Sequence, residues 1–133
     1  MTVVLSSILV KASMSLGKTD PRDQGGGWIG VDFDGTLATY DGFKGEGHTG
    51  EPIEPMVKKV RVWLREGLDV RLFTARKPHP NLRKWMKEHL GEVLKITNVK
   101  DRFMVAFYDD RAVNVERNTG KVDEKAERQA FEK

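Results

Sequence analysis

Cysteine is absent from all 133 positions, which excludes disulfides, thiolate metal ligands and a cysteine nucleophile and suits a reducing compartment. Histidine is scarce, three residues against 20 Asp and Glu, so a bound metal is expected to be a hard, oxygen-liganded ion such as magnesium rather than zinc. No apolar run reaches the roughly 20 residues of a membrane span. Met1 to Val10 also lacks the basic start and small-residue cleavage site of an export signal. The expectation is a soluble, cytoplasmic protein with no membrane partner. Blocks of like charge are missing too: the net charge of +3 is spread along the chain, which gives only weak grounds for a nucleic-acid partner. The length and the 38% of hydrophobic residues suit one domain around a single modest core.

Residues 1–27 differ in composition from the rest of the chain. Val3 to Val10 fits a short strand or one or two helical turns, while Ser13 to Gly27 is rich in Ser, Gly, Asp and Pro and ends in three consecutive glycines, as a linker does. Residues 12–19, Ala-Ser-Met-Ser-Leu-Gly-Lys-Thr, come close to a P-loop, but Ala12 stands where the tight phosphate cradle needs glycine. The Asp-Pro-Arg-Asp directly after Thr19 is a poor helix start, so a polar arm is the better reading. The domain is expected to occupy residues 28–133.

It is organised around Trp28 to Thr36. The apolar Trp28, Ile29 and Val31 lead into Asp32-Phe33-Asp34, and Gly35-Thr36 then breaks the strand pattern. Were both aspartates to stay extended they would share a face. Two such charges need a cation between them or a proton on one of them.

The remaining chain alternates strand and helix patterns. Residues 37–55 carry Gly42, Gly45, Gly47 and Gly50, a loop or small flap with no room for a cap domain. A helix is expected from Pro55 to about Glu66, its apolar residues Met56, Val57, Val60, Trp63 and Leu64 falling on one face. A strand is expected over residues 69–73, ending at Thr74, then a helix over 80–90 with Leu82, Trp85, Met86 and Leu90 inward. Further strands are expected over 93–97 and 104–108, the last ending at Asp109 and Asp110, with a short edge strand over 112–115 and a solvated helix over 123–133. This is the α/β class, a doubly wound parallel sheet, in which ligands bind beyond the carboxyl ends of the strands. Asp32, Asp34, Thr74, Lys100, Asp109 and Asp110 all fall at or after such ends.

Asp-Phe-Asp-Gly-Thr after the first strand, Thr74 after the second, Lys100 before the last, and Asp109-Asp110 after it resemble the four ordered motifs of the haloacid dehalogenase (HAD) superfamily of hydrolases. The resemblance covers about residues 28–120 and implies a Rossmann-like core with minimal or no cap. It also implies a magnesium-dependent phosphohydrolase working through an aspartyl-phosphate. In that scheme Asp32 is the nucleophile and Asp34 the acid and base. Gly35 lets the chain turn beside the phosphate, Thr74 bonds a phosphoryl oxygen, and Lys100, with Lys95 as its competitor, neutralises charge. Magnesium would take Asp32, the Asp34 carbonyl and Asp109, with Asp110 an alternative ligand or a group that holds the first.

The Asp-Asp-Arg ending also resembles the phosphatase half of phage-type polynucleotide kinases, which makes a nucleotide or nucleic-acid 3′-phosphate a candidate substrate. An open site suits a bulky substrate or a second subunit. A non-catalytic binding protein on the same fold is the rival reading, disfavoured by the presence of both Asp32 and Asp34. Arg76 and Arg111 lie close to motif ends and are candidates to touch substrate, although arginine after a strand is more often a surface or helix-end residue; His48 is read as a residue of the flap near the site, His79 and His89 as exposed, and Trp63 and Trp85 as core.

Overall fold

Strand β1 (Trp28–Val31) is buried at every one of its four positions, because it lies between two parallel neighbours. These are β2 (Val70–Phe73) and β4 (Met104–Tyr108); β2 in turn pairs with β3 (Lys95–Thr97), giving an all-parallel four-stranded sheet in the order β3-β2-β1-β4. The computed structural model describes residues 26–132, so the expectations for Val3 to Val10 and for the P-loop-like segment lie outside the described residues.

Helix α1 (Glu54–Arg65) joins β1 to β2, and α2 (Pro80–Leu90) joins β2 to β3. Both lie on the face carrying Ile29, Val31, Val70 and Leu72, where Val57, Val60 and Trp63 of α1 meet Leu82, Trp85, Met86 and Leu90 of α2 in one core. Trp63 and Trp85 are thus core residues, as their helical spacing predicts. Helix α2 starts at Pro80 behind His79, whose Nδ1 accepts the Asn81 amide at 3.0 Å, and stops at Gly91 with φ of 90°. The expectation that His79 and His89 are exposed is corrected: His79 is half-buried as a cap, and His89 is half-buried against the Trp85 ring at 4.7 Å.

On the opposite face the Arg71 guanidinium sits 4.8 Å from the Trp28 ring centroid and Phe73 meets Phe107 at 4.9 Å. The link from β3 to β4 contains no helix. It is tied to the start of β1 by Asp101, whose Oδ1 accepts the Trp28 indole N–H at 2.9 Å and the Phe103 amide at 2.8 Å.

The edge strand expected over residues 112–115 does not form. Val115 instead pairs with Val122 through a single bridge, since the turn near Asn118 (φ of 66°) folds residues 114–123 back on themselves. Helix α3 (Glu124–Glu132) is solvated as expected: none of its residues is buried and Phe131 is 86% exposed. Among the described residues no helix is long and apolar enough to cross a membrane.

Candidate active site

The parallel ladder runs one residue past β1, the Asp32 amide donating to the Tyr108 carbonyl at 2.9 Å, and then the chain turns. The Phe33 carbonyl accepts the amides of Thr36, Leu37 and Ala38 at 3.3, 2.9 and 3.0 Å, while the Phe33 ring is fully buried. Such a turn needs Gly35, whose φ is +84° and whose missing side chain makes room for a neighbour: a Cβ there would lie 2.5 Å from Asp110 Oδ2. Gly35→Ala is expected to cost about 1–3 kcal/mol from backbone strain, together with displacement of Asp110. A melting temperature within a degree of wild type would contradict this.

Because the chain turns at once, the side chains of Asp32 and Asp34 meet different partners. Asp32 joins Asp109 and Asp110 at the end of the neighbouring strand. The three residues each offer a carboxylate oxygen, and these oxygens all lie within 4.8 Å of one another, close enough to hold a metal ion. Asp110 is fixed by Thr36, whose hydroxyl lies 3.1 Å from Asp110 Oδ1 and accepts the Asp110 amide at 3.0 Å; Asp109 Oδ1 accepts the Arg111 amide at 2.6 Å. Thr36 is a site residue that sequence reasoning placed only within the turn. Burial first, and the negative charge of Asp109 second, push the Asp32 carboxyl up from 3.8 to about 7, with Asp110 acting in the same direction.

That shift has a measurable consequence. A divalent cation held by the three carboxylates would have to displace the Asp32 proton, so affinity for such an ion, with magnesium as the probe, is expected to rise with pH through about 7. At a magnesium concentration 100 times its Kd the fold gains about 2.7 kcal/mol. The magnesium-induced rise in melting temperature is therefore expected to be clearly larger at pH 8 than at pH 5.5 at one fixed magnesium concentration; equal shifts at both would remove Asp32 from the ligand set.

Asp34 turns to a different cation. Arg76 Nε donates to its Oδ2 at 2.7 Å and Nη2 to its Oδ1 at 2.9 Å, a two-pronged ion pair whose side chains are 11% and 23% exposed for Arg76 and Asp34. Arg76 is thus a half-buried partner of the acid turn, where sequence reasoning favoured a surface or helix-end arginine. The signal was present: the two aspartates required a cation, and Arg76 stands two residues beyond the strand-end Thr74. Thr74 is buried, and its Oγ1 accepts the Arg76 amide at 3.1 Å, which leaves its hydroxyl proton to donate.

Among the described residues, the side chains of the other residues singled out in the sequence make no hydrogen bond or ion pair with these four aspartates. Lys95 opens β3; the Asp101 carboxyl near it is held below its usual value first by the Trp28 indole N–H and then by the Phe103 amide, with the charges of Arg71 and Lys95 acting in the same direction. Lys100 is exposed in the β3–β4 link, and among the described residues no hydrogen bond or ion pair ties it to the acids. His48 and Arg111 are exposed as well.

No family model matches the chain, and neither the curated proteins nor the solved structures contain a match to it. The functional reading therefore rests on the parallel α/β fold and the acidic cluster.

Proposed function

We propose that this chain is a magnesium-dependent phosphomonoesterase of the HAD type, with Asp32 as nucleophile. The observation that carries the reading is the convergence of Asp32 with Asp109 and Asp110 at the carboxyl ends of two adjacent parallel strands, the place where such sheets bind ligands. The donor set fits a hard divalent cation: all three side chains are carboxylates, and the Asp32 carboxyl is raised by burial first and by the negative charge of Asp109 second, both of which a cation would offset. Asp32, Asp109 and the Asp34 carbonyl would hold the ion, with Asp110 a further ligand or the group that orients Asp109. Once bound, magnesium supplies charge neutralisation on the phosphoryl oxygens and keeps Asp32 ionised.

The protein's own groups do the rest. An Asp32 oxygen attacks phosphorus, the bond from phosphorus to the leaving oxygen breaks, and an aspartyl-phosphate forms. As one Asp34 oxygen leaves Arg76 it takes a proton from solvent and gives it to the leaving oxygen, the other oxygen staying on the guanidinium; Asp34 then takes a proton from the water that attacks phosphorus, which frees phosphate and restores the Asp32 carboxylate. Thr74 donates its free hydroxyl proton to a phosphoryl oxygen, and Lys100 adds positive charge. The small flap leaves room for a bulky substrate, so 3′-phosphorylated nucleotides and oligonucleotides stand beside sugar phosphates as candidates, and a second subunit is a candidate partner.

The test is phosphate release from p-nitrophenyl phosphate, sugar phosphates, nucleotides and 3′-phosphorylated oligonucleotides, with magnesium and with excess chelator. Turnover that chelation abolishes is the expected result. Binding of these compounds with no release of phosphate would favour the non-catalytic reading instead.

A further inference from the structure

The loop over residues 39–53 has no helix or strand of its own, yet side chains from outside hold it in place. From α2, Asn81 Nδ2 donates to the Gly47 carbonyl at 2.9 Å and Trp85 Nε1 donates to the Gly50 carbonyl at 2.9 Å. A third tether comes from Arg76, whose Nη1 donates to the Glu46 carbonyl at 3.1 Å. This is the same guanidinium that grips both oxygens of Asp34, and it lies 5.3 Å from the Phe33 ring centroid. One planar group thus spans the acid turn and the loop. Arginine can do this because its donors point in several fixed directions, whereas a lysine ammonium is a single point of charge.

We propose that Arg76 is the positioning residue that fastens the 39–53 loop to Asp34, so that loop and acid are placed as one unit. The catalytic meaning of the linkage rests on the phosphomonoesterase reading; the linkage itself does not. Asp34 fixes the guanidinium plane through two bonds, and that plane aims Nη1 at Glu46. Loss of either partner therefore releases the same restraint. In the enzyme, a substrate that displaces the loop would also loosen Asp34, and a seated loop would hold Asp34 in one orientation.

The linkage is tested by amide hydrogen exchange across residues 39–52 of the full chain, where the Thr39, His48 and Glu51 amides are hydrogen-bonded. Wild type is compared with Asp34→Asn, Arg76→Lys and the double variant. Each single variant is expected to exchange roughly tenfold faster in this loop, with the β2 amides unchanged. The double variant is expected to be no faster than either single one, as befits two halves of one contact. Wild-type exchange in Asp34→Asn, full protection in Arg76→Lys, or effects that multiply in the double variant would each overturn the proposal.

A parallel assay of magnesium-dependent p-nitrophenyl phosphate hydrolysis separates this failure from that of the broader reading. Arg76→Lys is expected to lower kcat more than it raises KM. Wild type that turns over while the exchange effects multiply removes the clamp and keeps the enzyme; wild type that never turns over removes the enzyme, and the exchange data still decide the clamp.

Discussion

If the protein is the phosphomonoesterase proposed above, Asp32→Asn is expected to lower its turnover by on the order of a thousandfold or more, and on any reading to make the metal-free protein more stable at pH 8. The two effects have one origin. Asp32 is half-buried beside two other carboxylates, and its carboxyl sits at about 7 rather than 3.8. A folded-state value raised above the unfolded one means that the fold favours the protonated form. The stability contribution of this group is therefore present in full below about 3.8 and is lost as the pH rises through about 7. Asparagine keeps the shape without the charge, so it removes the penalty that prevails at pH 8. Asp32 is partly exposed and solvent screens part of the repulsion, so the gain is set at about 1 kcal/mol, or some 4–8 °C for a domain of this size. At pH 4.5, where wild-type Asp32 carries its proton, the difference should nearly vanish. Thermal melts at both pH values without metal, and again with magnesium, make the check. A variant less stable than wild type at pH 8 would show that Asp32 is not under electrostatic strain, and a variant that still turns over would remove it as nucleophile.

The strands and helices were legible because each depends on local pattern. Trp28 to Val31 is apolar throughout, as a central parallel strand must be, and the apolar spacing from Met56 to Leu64 marks one helical face. Helix α2 and strand β4 fall at the expected bounds, and α1 is displaced by one residue because the backbone before Pro55 already enters the helix at Glu54. Expectation failed where a segment had two possible partners. Residues 112–115 have strand character, but their nearest partner was the chain just beyond them, around Val122, rather than the sheet. The same division runs through the site. Asp32 and Asp109 sit at strand ends, and strand ends follow from pattern, so their meeting could be anticipated. The pairing of Asp34 with Arg76 spans 42 residues and depends on the direction the chain takes after Gly35. The sequence demanded either a cation or a proton for the two aspartates; the fold supplies both, Arg76 for Asp34 and a raised proton affinity for Asp32.

Trp85→Ala is expected to destabilise the protein by about 3–5 kcal/mol, a large share of the 5–15 kcal/mol that holds such a domain together. The indole is buried and stands edge-on to Phe33 at 4.9 Å with an interplanar angle of 84°. Phe33 lies between Asp32 and Asp34, and its carbonyl anchors the turn that separates them, so the core beneath the site is in part this one aromatic pair. A cavity there lets Phe33 drop, and the turn goes with it. Trp85 has a second function, since its Nε1 holds the 39–53 loop at Gly50. Trp85→Phe separates the two: it keeps a ring against Phe33 and deletes the hydrogen bond. Loss of the bond leaves the Gly50 carbonyl to find water at the edge of the loop, so a smaller cost of about 1–2 kcal/mol is expected. Chemical denaturation of both variants tests the ranking, with hydrogen exchange over residues 39–52 as the local readout. If Trp85→Phe destabilises as much as Trp85→Ala, the indole's hydrogen bond outweighs its packing and the turn does not rest on the Phe33 contact. If Trp85→Phe instead leaves both global stability and loop exchange at wild-type levels, the tether at Gly50 contributes nothing, and the loop is held by Asn81 and Arg76.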